Sequence, residues 1–147
     1  MNLSLEDQLA FYGAFHTKPA NVAIHLLFVP CIFFTALILL HGLPSPSFLT
    51  VPLPFNFPGF STVPAAQVVQ ITPAFLVALG YASYFIALDP IAGGLYAPIL
   101  LTFGHLSNVF GDRIKPAAVL HVASWIAQFV GHGVVSLFIP SARGMKD

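Results

Sequence analysis

Charge is what this sequence has least of. Only 7% of its 147 residues are Asp, Glu, Lys or Arg, where an ordinary soluble domain carries about 25%, and none of them falls between Lys18 and Asp89. With 57% hydrophobic residues and a mean hydropathy of +0.87, the chain reads as an integral membrane protein, since charge buried in hydrocarbon is costly and is left to loops and ends. The single cysteine, Cys31, excludes a disulfide within the chain and sits in an apolar run unsuited to a thiolate site. A formal net charge of zero gives no electrostatic reason to bind nucleic acid. The start, MNLSLEDQLAF, lacks the basic n-region of a secretory signal, so no cleaved signal is expected. Gly-x-Ser-x-Gly, Cys-x-x-Cys, Walker and His-Glu-x-x-His patterns are absent as well.

The apolar sequence falls into segments. Residues 3–15 have a rough helical period with acids in the first turn and Ser4 placed as an N-cap, which predicts an interfacial helix too short to span. Pro19 predicts a break, with one helix ending near Thr17 and the next starting near Asn21. From Asn21 to Leu43 about 23 uncharged residues supply ~34 Å of helix, one bilayer crossing, with Pro30 in its middle. The proline-rich stretch 44–64 is a membrane-surface loop. Further spans are expected over about 65–88, 91–111 and 117–139, with a tight turn at Asp89-Pro90, and Gly93-Gly94 is expected to let helices pack closely. The expected fold is therefore all-α: a single membrane domain over residues 1–147, a four-span helical bundle behind a short interfacial helix.

Six histidines outnumber the five acids, and an ionisable side chain in a span is a functional candidate by default. In an up-down bundle His16, His25 and His132 fall toward the N-terminal face, and His41, His105 and His121 toward the other. His121 and His132 are ~16 Å apart along one helix and cannot ligate one metal. They belong to a stripe on the fourth helix, His121, Trp125, Gln128 and His132, spaced 4, 3 and 4. Two readings of His16, His25 and His132 stand side by side: three interfacial imidazoles satisfied by backbone carbonyls, or three converging ligands suited to Fe(II), Zn(II) or Cu. Gln128 and Asn21 are each either a polar partner of such a site or structural, Gln128 as an interhelical hydrogen bond and Asn21 as an N-cap after Pro19. His41, before Gly42, suits a helix C-terminus.

Two segments resemble a known family. FYGAFHTKPANVAIHLLFVP near the start and SWIAQFVGHGV at 124–134 are similar to the paired signatures of the fungal 2-hydroxy fatty acid dioxygenases, multi-span proteins of the endoplasmic reticulum membrane. The resemblance implies an Fe(II)-dependent α-oxidation in which dioxygen shortens a long-chain 2-hydroxy fatty acid by one carbon, in phytosphingosine breakdown. It also implies His16, His25 and His132 as iron-site histidines, with Asn21 and Gln128 beside them and His121 as a weaker candidate. Substrate, dioxygen and the lipid bilayer are then the partners. Outside the resemblance, a haem-binding or electron-transfer membrane protein and a catalytically inactive structural protein remain the alternative classes. After Gly133 the pattern departs: Val135 and Ser136 stand where the family has an aromatic residue and a glutamate. The tail VVSLFIPSARGMKD is accordingly expected to be a truncated or mis-spliced end, translated from an unspliced intron, with loss of activity.

Overall fold

A computed structural model of the chain describes residues 4–15, 19–43, 50–52 and 68–131. Five helices dominate: α1 (Leu5–Phe15), α2 (Pro19–Leu39), α3 (Pro73–Leu88), α4 (Pro90–Val109) and α5 (Ile114–Val130). A two-stranded antiparallel ribbon, β1 (Thr50–Pro52) with β2 (Val68–Gln70), is the sole sheet among the described residues, so the architecture is all-helical apart from it. Chain contacts divide the protein into two compact units, one made of residues 1–33 and 119–147, the other of residues 34–118.

The element boundaries follow from local chemistry. Ser4 Oγ accepts from the Asp7 N–H at 3.4 Å to start α1, with Glu6 and Asp7 in the first turn. Pro19 opens α2, where its missing N–H costs nothing. The expected break falls on residues 16–18, outside the described residues, and the new helix begins two residues before Asn21. Asn21 is therefore inside the first turn and buried, not an N-cap. After Leu39 the chain tightens into a 3-10 turn, Leu40–Gly42, that carries His41 in its last turn. Leu43 then turns extended, with φ −87° and ψ 146°, as a residue preceding proline must.

The second expected span needs correction. Its helix starts at Pro73 and not near residue 65, because Val68 and Val69 pair with Pro52 and Val51 in the ribbon. Thr72 is the true N-cap: its Oγ1 accepts from the Phe75 N–H at 3.3 Å and donates to Asn108 Oδ1 at 2.9 Å. Asn108 Nδ2 in turn donates to the Gln70 carbonyl at 3.1 Å, tying β2 to α4. Among the described residues one helical run, Pro19–Gly42, is both long and apolar enough to cross a membrane; α3 and α5 are apolar but shorter.

Within residues 34–118, α3 and α4 form a hairpin through Asp89. Its Oδ1 accepts from the N–H groups of Ile91 and Ala92, each at 3.0 Å, and Pro90 takes the first helical position. The two helices meet along small residues: Ala74, Ala78 and Ala82 on α3, and Gly93, Ala97 and Gly104 on α4. A Cβ added at Gly104 would lie 2.8 Å from the Ala78 Cβ, and one added at Gly93 would overlap the Phe85 carbonyl. Gly94, by contrast, has open space beside it, so only the first of the two glycines serves close packing. Large apolar side chains point away from this seam, with Ile91 78% and Leu95 77% exposed. The rings of Phe34 and Phe103 pack with centroids 5.3 Å apart, and His41 Nε2 lies 3.5 Å from the Ser107 Oγ, which itself donates to the Gly104 carbonyl.

Candidate functional site

The unit formed by residues 1–33 and 119–147 holds the first turns of α2 and most of α5. On α5 the buried line runs through Ser124, Gln128 and Gly131, at spacings of four and three that keep one helical face. Val122, Ile126, Phe129 and Val130 are exposed on the remaining surface. Gly131 meets α2: a Cβ placed there would be 3.1 Å from Ile24 Cδ1 and 3.2 Å from Asn21 Oδ1. The end of α5 that leads into His132 therefore lies against the turn of α2 that leads into His25.

Next to this approach is a cavity of about 230 Å³ lined by His25, Val29 and Ile32 of α2 and by Trp125, Gln128 and Phe129 of α5. The spacings, 0, 4, 7 on one helix and 0, 3, 4 on the other, are those of two facing helical stripes. Four of the six linings are apolar or aromatic. His25 is half-buried, whereas Gln128 is 4% exposed and neither its Nε2 nor its Oε1 has a hydrogen-bond partner. One turn earlier the Ser124 hydroxyl is likewise buried without a partner. Buried amides and hydroxyls are normally satisfied, so these two side chains on one face of α5 are exceptions to the rule.

The stripe read from the sequence divides in space. Trp125 is 45% exposed and its Nε1–H donates to His121 Nε2 at 3.1 Å. An indole nitrogen only donates, so His121 carries its own proton on Nδ1 and its Nε2 is engaged. That makes His121 a partner of Trp125, with Nε2 engaged and Nδ1 protonated, an arrangement unlike that of a metal ligand. His16 and His132 lie outside the described residues, as does the tail from Val135 onward. Among the described residues no three His, Cys, Asp or Glu side chains come together, so a three-imidazole site rests on His16 and His132 joining His25. Ser124, Val29, Ile32 and Phe129 were not singled out from the sequence. Their signal was there in the helical spacing from His25 and from Gln128.

Residues 3–141 match the protein family described as 2-hydroxy-palmitic acid dioxygenase Mpo1-like. The chain belongs to that family. It is 32% identical to the 2-hydroxy-palmitic acid dioxygenase MPO1 of Saccharomyces cerevisiae over 136 residues, which make up 90% of this chain and 64% of the yeast protein. No solved structure matches it significantly. The family match runs through residue 141, past Val134, where the resemblance of the motifs was expected to stop.

Proposed function

We propose that this protein is an Fe(II)-dependent dioxygenase of the endoplasmic reticulum membrane that shortens long-chain 2-hydroxy fatty acids by one carbon, the α-oxidation used in phytosphingosine breakdown. Family membership supports the reaction class, and the name of the yeast relative supplies the substrate class. The observation that carries the reading on this chain is the apolar cavity between α2 and α5, which has His25 among its lining residues and Gln128 buried beside it.

The donor set fits a borderline metal such as ferrous iron, which accepts neutral imidazole nitrogen and leaves positions for oxygen ligands. His25 would hold it together with His16 and His132, the latter immediately following the glycine that packs on Asn21 and Ile24. When bound, iron supplies the electrons and Lewis acidity that dioxygen chemistry requires. The rest is the protein's own work. Val29, Ile32, Trp125 and Phe129 exclude water and take the first carbons of the acyl chain. At about 230 Å³ the cavity offers roughly seven or eight times a water's share of liquid volume, enough for the head group and a few methylenes, so the remaining chain must run along the apolar outer surface. One dioxygen balances the reaction: C2 becomes the new carboxyl carbon and the old carboxyl leaves as carbon dioxide, with one water formed.

A bilayer setting is supported by how the side chains sort. Leu26, Ile91 and Leu95 project outward, while Ala, Gly, Ser, Asn and Gln fill the buried seams. That distribution suits a lipid solvent, in which packing between helices depends on small and hydrogen-bonding residues. Helices α2 to α5 are the proposed spans. The 16 residues of α3 give ~24 Å, nearer to the ~27 Å of the endoplasmic reticulum bilayer than to a thicker membrane.

The test is purification of the chain in lipid nanodiscs, metal analysis, and conversion of 2-hydroxyhexadecanoic acid to pentadecanoic acid with Fe(II) and dioxygen. His25→Ala should keep its helical spectrum and lose both iron and product formation. Full product formation by that variant, or none by the unaltered chain loaded with iron, would remove the reading.

A further inference from the structure

We propose that His121 is a positioning residue for substrate choice: by accepting the indole N–H of Trp125 it fixes that ring as one wall of the cavity between α2 and α5, and the fixed wall admits an unbranched acyl chain and rejects one branched beside the head group. The inference rests on the dioxygenase reading and adds to it how the hydrocarbon end of the substrate is selected.

Trp125 lines the cavity together with Val29, Ile32 and Phe129, and the accessible wall is almost wholly apolar even though His25, Trp125 and Gln128 belong to the lining. Such a wall takes a hydrocarbon chain and offers a polar ligand nothing. The indole can belong to it because its N–H is engaged elsewhere, donating at 3.1 Å to His121 Nε2 on a residue outside the lining. That bond runs from position i to i−4, the direction in which a helical side chain already leans. On the other side the indole packs against Phe129, with centroids 6.0 Å and planes 32° apart, while the His121 ring stands T-shaped to it at 71° with centroids 6.4 Å apart. Trp125 is thus held from both neighbouring turns. Val122, Ile126 and Phe129, the exposed side chains around it on α5, carry no acceptor that could replace His121 if the ring swung away, and an unpaired N–H in apolar surroundings costs more than in water. The indole therefore keeps one rotamer. A wall that can repack accommodates an extra carbon, whereas one that cannot repack excludes it. At about 230 Å³ the cavity holds the head group and a few methylenes, so a methyl at C3 falls inside it and meets that wall. His121 acts on the substrate only through Trp125.

The test uses full-length protein in nanodiscs with Fe(II) under nitrogen, so that binding is read without turnover. Calorimetry gives the affinities for 2-hydroxyhexadecanoate and its 3-methyl derivative, emission of the single tryptophan reports on the ring itself, and product formation in air is assayed in parallel. In the unaltered protein the unbranched acid should bind about tenfold more tightly or better. His121→Phe keeps a ring and removes the acceptor; Trp125 emission should change before any ligand is added, and the branched acid should gain affinity until the two bind alike. His121→Gln returns a side-chain acceptor to the same turn and should restore both the emission and the discrimination. In Trp125→Phe, where the bond cannot form, discrimination should already be lost, and adding His121→Phe should change nothing further. Kept discrimination in His121→Phe or in Trp125→Phe overturns the proposal, as does a parent that binds both acids alike. An effect of His121→Phe that is as large without the indole as with it also overturns it, since His121 would then act elsewhere. Should His121→Phe lose the parent's helical spectrum, Trp125→Phe decides: kept discrimination there overturns the inference, and lost discrimination beside a parent-like His121→Gln supports it. Discrimination in binding without product in air would overturn the dioxygenase reading alone, and product without discrimination would overturn the present one alone.

Discussion

Two adjacent glycines on α4 should respond to the same substitution with opposite sign. In a helix, replacing glycine by alanine gains up to ~1 kcal/mol from backbone entropy, provided that the new methyl has room. Gly94 has that room, with nothing within 4 Å of an added Cβ. Gly93 does not: its Cβ would overlap the carbonyl of Phe85 and crowd the Ile86 nitrogen, atoms of the α3 backbone that no rotamer change can move. Overpacking a filled seam costs about 1–3 kcal/mol, and the absence of a flexible neighbour puts this case at the upper end. Offset by the helix gain, Gly93→Ala should destabilise by roughly 2 kcal/mol or more, and Gly94→Ala should stabilise by up to ~1 kcal/mol. For a chain of this size each kcal/mol moves the melting midpoint by about 2–4 °C, so the two variants should be separated by at least roughly 4 °C. Thermal unfolding of both in the same detergent, followed by circular dichroism, reads the difference directly. A shift of the same sign in the two variants, or a neutral Gly93→Ala, would refute the close approach of α3 and α4 on which the reasoning depends.

Other substitutions test other joints. Asp89→Ala removes the acceptor of two N–H groups at the start of α4 and should cost about 1–2 kcal/mol in denaturant unfolding, most of which Asp89→Asn restores; equal losses for both would mean that the cap is not the source. Gly131→Ala presses a methyl to 3.1 Å from Ile24, a side chain that can yield, so stability should change little. The same methyl crowds Asn21 Oδ1 at 3.2 Å, one turn before His25, and at the proposed iron site the Fe(II) affinity should fall by about 10–100-fold on titration, as it does when side chains that orient a ligand are disturbed. Unchanged affinity would show that this helix approach does not set the site.

Much of this organisation is written in residues that act locally. Pro19, Asp89-Pro90 and Ser4 each control a single backbone step, and each boundary they forecast is present within two residues. The sequence misplaces the start of α3 because residues 65–71 are uncharged and mostly apolar, and hydropathy does not separate a strand from the first turns of a helix. The discriminating signals were smaller: the β-branched pair Val68-Val69 and the Thr72-Pro73 step. Asn21 was open to misreading as a cap since Pro19 fixes only that a helix begins nearby. The cavity was half legible. Periodicity put His121, Trp125 and Gln128 on one stripe, but whether each side chain turns inward depends on the opposing helix. Gly131 lets α2 approach, Gln128 is enclosed, and the longer Trp125 reaches the rim to bond His121.

The division of the chain also sets an order of assembly. Residues 34–118 form an uninterrupted segment, and within it the α3–α4 hairpin closes across a single residue, so its contacts are among the most local that the molecule makes. The unit with the cavity is built from the two flanks of that segment, and its facing residues, His25 and Gln128, are about a hundred positions apart. Closing a loop of that length costs on the order of 4 kcal/mol in chain entropy from its logarithmic dependence alone, a cost that a prefolded intervening segment reduces by shortening the effective loop. Contacts of such long range form late. A ribosome-bound chain that has emerged only as far as α4 can therefore own a finished hairpin and still have no pocket, and any lesion that slows the docking of α5 will appear first as a folded protein without a working site.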